Sequence, residues 1–175
     1  MRTFDPPRYT YSDYKNWKED WELIQGYPYQ FLPSAVASHN KVQLKMAFQA
    51  ENSLLKNDEN CNCALFTELD WKVSEETVVR PDLMIICGKE VIEFLEFPPV
   101  LILEILSPST QKKDRTLKFE LYQEQGVKYY LLADYIKKTV EVYELIDNRY
   151  KEVERNIFLV DKKCEVVFDY EKVWK

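Results

Sequence analysis

Three glycines, one histidine and no apolar run long enough to cross a bilayer deprive this 175-residue chain of several common devices for binding phosphate or membrane. With so little glycine there is no collagen-like or low-complexity segment and no Gly-rich loop to cradle a nucleotide phosphate. Positive charge is also short, since 24 Lys and Arg face 30 Asp and Glu for a net charge of -6. That balance argues against a broadly basic nucleic-acid coat, although an acidic protein can still present a local basic surface. The opening Met1-Arg2-Thr3-Phe4-Asp5-Pro6-Pro7 carries no apolar segment of the secretory type, so a cytoplasmic protein without a membrane span is expected. Cysteine is limited to positions 61, 63, 87 and 164. The Cys61-Asn62-Cys63 spacing matches neither a zinc knuckle nor a thioredoxin-type motif, and zinc would need two further good ligands where His39 is the only histidine. Reduced thiols are therefore expected.

What is present describes an ordinary globular protein. Hydrophobic residues make up 46% of the chain, enough for a real core, and the length favours a single domain over residues 1–175. Tyr11-Ser12-Asp13-Tyr14 and the charged stretch to Asp20 suggest a short helix capped by Ser12 or Asp13. Residues 21–31 alternate around Gln25-Gly26 and predict a hairpin. Val42, Met46 and Gln49 or Ala50 recur at helical spacing towards Leu54, which predicts an amphipathic helix over 39–56 with Ser38 as its cap. Residues 63–73, 78–79, 127–133 and 139–145 read as strands, and 157–160 and 165–168 as weaker ones. Ser107-Pro108-Ser109-Thr110 supplies helix-start chemistry for a helix of about four turns that ends near Gly126. Strands around two clear helices predict an α/β fold, with α+β the alternative, and a mixed central sheet flanked by helices.

Two carboxylates interrupt apolar runs. Asp82 leads into Leu83-Met84-Ile85-Ile86 after Pro81, and Glu104 stands inside Val100-Leu101-Ile102-Leu103-Glu104-Ile105-Leu106. Such continuous runs suit strands buried on both faces, where a carboxylate is costly unless something positive compensates it. A shared metal ion or a cationic side chain is the natural compensation, and Lys118 is a candidate cation. Hard oxygen ligands suit magnesium, a divalent cation polarises a phosphate and activates water, and a lysine can position that water or neutralise developing charge. Each residue also has a plain structural reading: Asp82 as a strand-start residue, Lys118 as an i,i+4 surface partner of Asp114, Glu104 as half of a buried ion pair.

Pro81-Asp82 followed 22 residues later by Glu104 resembles the two acidic motifs of the PD-(D/E)XK nuclease superfamily. Taken in order, Glu104-Ile105-Leu106-Ser107-Pro108-Ser109, Asp114-Arg115, Lys118, Tyr122, Gly126 and Tyr129-Tyr130-Leu131-Leu132-Ala133-Asp134 resemble the Uma-two restriction-endonuclease-like family. Trp21-Glu22-Leu23-Ile24-Gln25-Gly26 and Ser38-His39 are similar to that family's N-terminal elements, with Gln25 where an Asp is usual. The superfamily lysine two positions after the second acid is absent, because Leu106 stands there, and the resemblance implies a migrated lysine at Lys118. It implies a restriction-endonuclease-like core and a divalent-metal-dependent endonuclease acting on DNA. Asp82 and Glu104 would hold Mg2+ or Mn2+, and Asp82, Glu104 and Lys118 would be catalytic. Glu22 and His39 are supporting candidates, and Lys112, Lys113 and Arg115 are candidate DNA-backbone contacts. Homodimerisation is an expectation from how such nucleases reach two strands. The alternative is a catalytically inactive nucleic-acid- or protein-binding module of the same fold, with Glu104 and Lys118 as a structural ion pair.

Overall fold

The computed structural model describes residues 6–18, 20–30, 37–57 and 59–175. A four-residue helix α1 (Tyr11–Tyr14) opens the described chain, capped not by Ser12 or Asp13 but by Thr10. Asp13 answers from the third helical position, its Oδ2 accepting from the Thr10 amide at 2.8 Å, which is a capping box. Strands β1 (Trp21–Ile24) and β2 (Tyr27–Gln30) form the expected hairpin, with both turn residues, Gln25 and Gly26, at positive φ. That geometry suits a two-residue loop, and a Cβ at Gly26 would meet the Arg8 side chain at 3.2 Å. The Phe31 end of the predicted hairpin lies outside the described residues.

Helix α2 (Ala37–Leu54) starts before Ser38, which therefore sits in its first turn and not at the cap. His39, Val42, Met46 and Ala50 form its buried stripe, the 3.6-residue period expected of a helix laid on a sheet. Met46 is fully buried, so Met46→Ala is expected to cost about 2–5 kcal/mol, measured by urea unfolding.

Strands β3 (Cys63–Phe66), β4 (Trp71–Ser74), β5 (Thr77–Val79), β6 (Leu83–Cys87) and β7 (Leu101–Leu106) follow. Next comes one continuous helix built from α3 (Gln111–Lys113), a π-helical turn (Asp114–Lys118) and α4 (Phe119–Glu124). Gly126, at φ +78°, ends it, with the Val127 amide reaching back to the Tyr122 carbonyl. Strands β8 (Tyr129–Asp134), β9 (Thr139–Ile146), β10 (Arg149–Glu152), β11 (Ile157–Asp161) and β12 (Cys164–Val167) precede a closing helix α5 (Tyr170–Trp174).

A six-stranded mixed sheet runs β10-β9-β8-β7-β6-β3, its one parallel pair being β7 with β8 across the helical crossover. Beside it lie a four-stranded sheet, β2-β1-β5-β4, and the β11-β12 hairpin. The period of two in β6, β7 and β8 sorts their side chains between two cores. Leu83, Ile85, Leu101, Leu103, Ile105 and Leu131 pack with α2 and the β11-β12 hairpin. Met84, Ile86, Ile102, Leu106, Tyr130 and Leu132 pack with Trp71, Tyr122 and Ile24. Both faces of the central strands are thus covered, as their unbroken apolar runs require. Glu104 belongs by parity to the second face, among the residues under α4.

The cysteines depart from the expectation of free thiols. Cys61 is joined to Cys164 and Cys63 to Cys87. The partners lie 103 and 24 residues apart, so their meeting is a product of sheet topology that spacing along the chain does not display. No helix among the described residues is long and apolar enough to cross a membrane.

Candidate active site

Five elements converge on one buried cluster of charge: β1, the start of β6, β7, α2 and the helix that contains the π turn. Asp82 immediately precedes β6, and the last rung of the β6-β7 ladder pairs Leu83 with Leu103. One residue further along each strand stand Asp82 and Glu104, so the antiparallel register itself brings the two acids side by side. Asp82 Oδ2 accepts from the Ile105 amide at 2.6 Å and lies 3.4 Å from His39 Nε2 on the first full turn of α2. Burial lowers the His39 pKa, but the Asp82 carboxylate outweighs it and the imidazole is raised overall.

Lys118 supplies the cation. It is 1% exposed, at the end of the π turn, and its Nζ lies 2.9 Å from Glu104 Oε1, 2.7 Å from Glu22 Oε1 and 3.7 Å from Asp114 Oδ1. The same Glu104 oxygen accepts from the Tyr122 hydroxyl at 2.8 Å. Glu22, from β1, is fully buried; it also accepts from the Arg80 amide at 2.9 Å and pairs with Lys113. Asp114 Oδ1 is buried without a hydrogen-bond partner. Tyr130, from β8, fixes the helix by donating to the Asp114 carbonyl at 3.0 Å.

With every carboxylate ionised, charge in this cluster would not balance. Glu22, Asp82, Glu104 and Asp114 face Lys113, Lys118 and the His39 imidazole, all buried except the partly exposed Lys113. Burial pushes Glu104 up to about 8 despite Lys118, with Asp114, Asp82 and Glu22 adding in the same direction. Burial likewise raises Asp114, to about 6. Burial opposes the charge on Lys118 too, yet Glu104, Glu22 and Asp114 together hold it well above its usual value, so it stays an ammonium at neutral pH. Glu22 goes the other way, because Lys118 and Lys113 more than offset its burial. A buried site with four carboxylates, one of whose oxygens has no hydrogen-bond donor, offers the hard oxygen ligands that a divalent cation such as magnesium takes.

Of the residues singled out in the sequence, Asp82, Glu104, Lys118, Glu22 and His39 all fall in this one cluster. Lys113 lies there too, paired with Glu22 and not turned to solvent. Arg115 is held by a two-pronged pair to Glu141, both distances 2.6 Å, and Lys112 alone of the three basic candidates is exposed. Asp114 and the Tyr122 hydroxyl are the members that sequence reasoning missed as site residues. Their signal was the Asp114, Lys118, Tyr122 spacing on one helix, which read equally well as a surface pair beside a core stripe.

A family model described as "Uma2: Putative restriction endonuclease" matches residues 9–163. The chain belongs to the Uma2 family. Its fold is also that of a crystal structure titled as a putative nuclease belonging to DUF820 from Anabaena variabilis ATCC 29413, with a TM-score of 0.74. That likeness covers 94% of this chain and 97% of the other at 16% identity, a level at which it speaks for the fold. No curated protein matches the chain. Leu106, two positions after Glu104, is 3% exposed and packed in the core with Tyr122 of α4, where it offers no charge.

Proposed function

We propose that this chain is a divalent-metal-dependent endonuclease hydrolysing phosphodiester bonds of DNA, with Asp82 and Glu104 as the metal-holding acids and Lys118 as the catalytic cation. The observation that carries this reading is the 2.9 Å approach of Lys118 Nζ to Glu104, from a helix 14 residues downstream, which restores the lysine that position 106 lacks. When bound, Mg2+ or Mn2+ supplies a Lewis acid for the phosphate and lowers the pKa of an attacking water. Asp82 is prepared for its part by the Ile105 amide and His39, which fix the orientation of its carboxylate. Tyr122 does the same for Glu104. Because Lys118 keeps its proton, it acts by charge: it orients the water through hydrogen bonds and offsets the negative charge that grows on the phosphate in the transition state. Glu22 and Asp114 also hold the ammonium in place. Lys112, exposed on the same helix, is the basic side chain we assign to the DNA backbone.

A second reading has its own observation. Lys118 already sits among three carboxylates, as a structural counter-ion would, in a catalytically inactive nucleic-acid- or protein-binding module. Cleavage of supercoiled and linear DNA in magnesium separates the two. Activity is expected in the wild type, to disappear with chelator, and to be lost in Asp82→Ala with the circular dichroism spectrum preserved. Magnesium at one hundred times its dissociation constant is expected to stabilise the wild type by about 2.7 kcal/mol and to leave Asp82→Ala unmoved. A wild type that neither binds divalent metal nor cuts any DNA or RNA form would leave the structural reading standing.

A further inference from the structure

The four cysteines form a second convergent cluster, remote in the sheet from the acidic site. Cys61 and Cys63 flank Asn62 at the start of β3, Cys87 ends β6 directly opposite Cys63, and Cys164 opens β12. The Asn62 carbonyl accepts from the Gly88 amide at 2.7 Å, which pins the Cys61-Asn62-Cys63 corner to the end of β6. The sulfurs of Cys61, Cys63 and Cys164 all lie within 4.8 Å of one another, and Cys87 is bonded to Cys63. The two disulfides are therefore one knot of four sulfurs drawn from three places in the chain. Two independent cross-links have no need to touch.

We infer that, in the reduced protein, this knot is a structural zinc site with four thiolate ligands, Cys61, Cys63, Cys87 and Cys164. The two ligands that Cys61 and Cys63 lack in the sequence are supplied by the fold. Thiolates are soft donors that select zinc over the hard cations suited to the acidic site, and four of them complete a closed tetrahedral shell. Zn–S bonds of about 2.3 Å place tetrahedral sulfurs roughly 3.8 Å apart; three of the four sulfurs already lie within 4.8 Å of one another, and Cys87, bonded to Cys63, is one S–S bond from that group. Cys164 is fully buried while Cys61, Cys63 and Cys87 are half-buried, so a metal has both a floor and an entry path. Exposed Lys89, Lys162 and Lys163 stand within two residues of Cys87 and Cys164, and their charges offset the net negative charge of a tetrathiolate centre.

The conversion balances. Each disulfide takes two electrons and two protons from a dithiol reductant, which leaves as its own disulfide, so two equivalents yield four thiols. Zn2+ then replaces the four thiol protons, which pass to the buffer. The metal holds the same elements as the disulfides did: the β3-β6 edge of the large sheet and the β11-β12 hairpin that closes one core.

The test is metal content. Chain purified in dithiol buffer, incubated with zinc chloride and desalted is expected to retain one zinc per chain, whereas the oxidised chain retains at least tenfold less. Cobalt in place of zinc is expected to give an intense thiolate-to-metal charge-transfer band, readable on the wild type even if a cysteine variant fails to fold. Half-buried Cys61→Ser is expected to lower zinc retention more than tenfold, and Asp82→Ala to leave it unchanged. Reduced wild type that keeps no zinc and shows no sulfur band with cobalt would overturn the inference. So would zinc that is kept by Cys61→Ser but lost in Asp82→Ala, since the metal would then sit on the carboxylates. Neither result bears on DNA cleavage, which stands or falls separately.

Discussion

Lys118→Met is expected to lower DNA cleavage by about 10²–10³-fold and, in the metal-free protein, to cost about 3–5 kcal/mol of folding free energy. The side-chain volume is nearly conserved, so the loss is electrostatic. Glu22, Glu104 and Asp114 all direct an oxygen at this one ammonium, and none has bulk water to turn to. Removing one partner of a buried pair leaves the other's desolvation uncompensated, and here Glu104 and Asp114 lose their cation while Glu22 keeps only Lys113. For a chain of this length the stability change corresponds to a fall in melting temperature of roughly 6–20 °C. Urea unfolding in chelator and cleavage in magnesium, measured on the same preparation, check both halves. A variant as stable as the wild type that still cuts DNA would remove Lys118 from the mechanism.

Glu104→Gln is expected to abolish cleavage to a similar degree while moving stability in the opposite direction. Glutamine keeps an oxygen for Lys118 and Tyr122 but carries no charge to desolvate. In the folded protein Glu104 is raised from 4.5 to about 8, so between those values the native state holds a proton that the unfolded state has released. Wild-type stability therefore falls as pH rises through that window and is level above it. The glutamine variant lacks this term. Its stability relative to wild type should climb from about pH 4.5 to 8, by an amount on the order of a few kcal/mol, in metal-free buffer. Asp114, also raised, titrates in both proteins and largely cancels from the difference. Unfolding curves at pH 5, 7 and 9 decide the matter, and a difference that is flat or falls with pH would refute the electrostatic account of Glu104.

The parts of the molecule that were legible in the sequence are those with periodic or continuous apolar patterns. The α2 stripe, the β1-β2 hairpin and the buried runs of β6, β7 and β8 could be read directly, and the two acids inside those runs marked the site. Short polar elements were not legible. Strand β10, Arg149–Glu152, carries no apolar alternation and exists because it pairs with β9, and α5 is a five-residue turn set by Asp169 at its cap. Among the site residues, Glu22 looked like a strand residue because its partner Lys118 lies almost a hundred positions away. The cysteine pairs failed for the same reason: local spacing has no record of which strands become neighbours.

The Lys118 ammonium touches Glu22 on the four-stranded sheet and Glu104 on the six-stranded sheet, so it is the only side chain described above that bridges both sheets by charge. The acidic cluster is therefore complete only while the two sheets are docked. Any opening of that seam would take apart the lysine's cage and strand Glu104 with Tyr122. On the proposed nuclease reading, catalytic competence and tertiary integrity then become one variable, and a partly opened chain would be unable to cut.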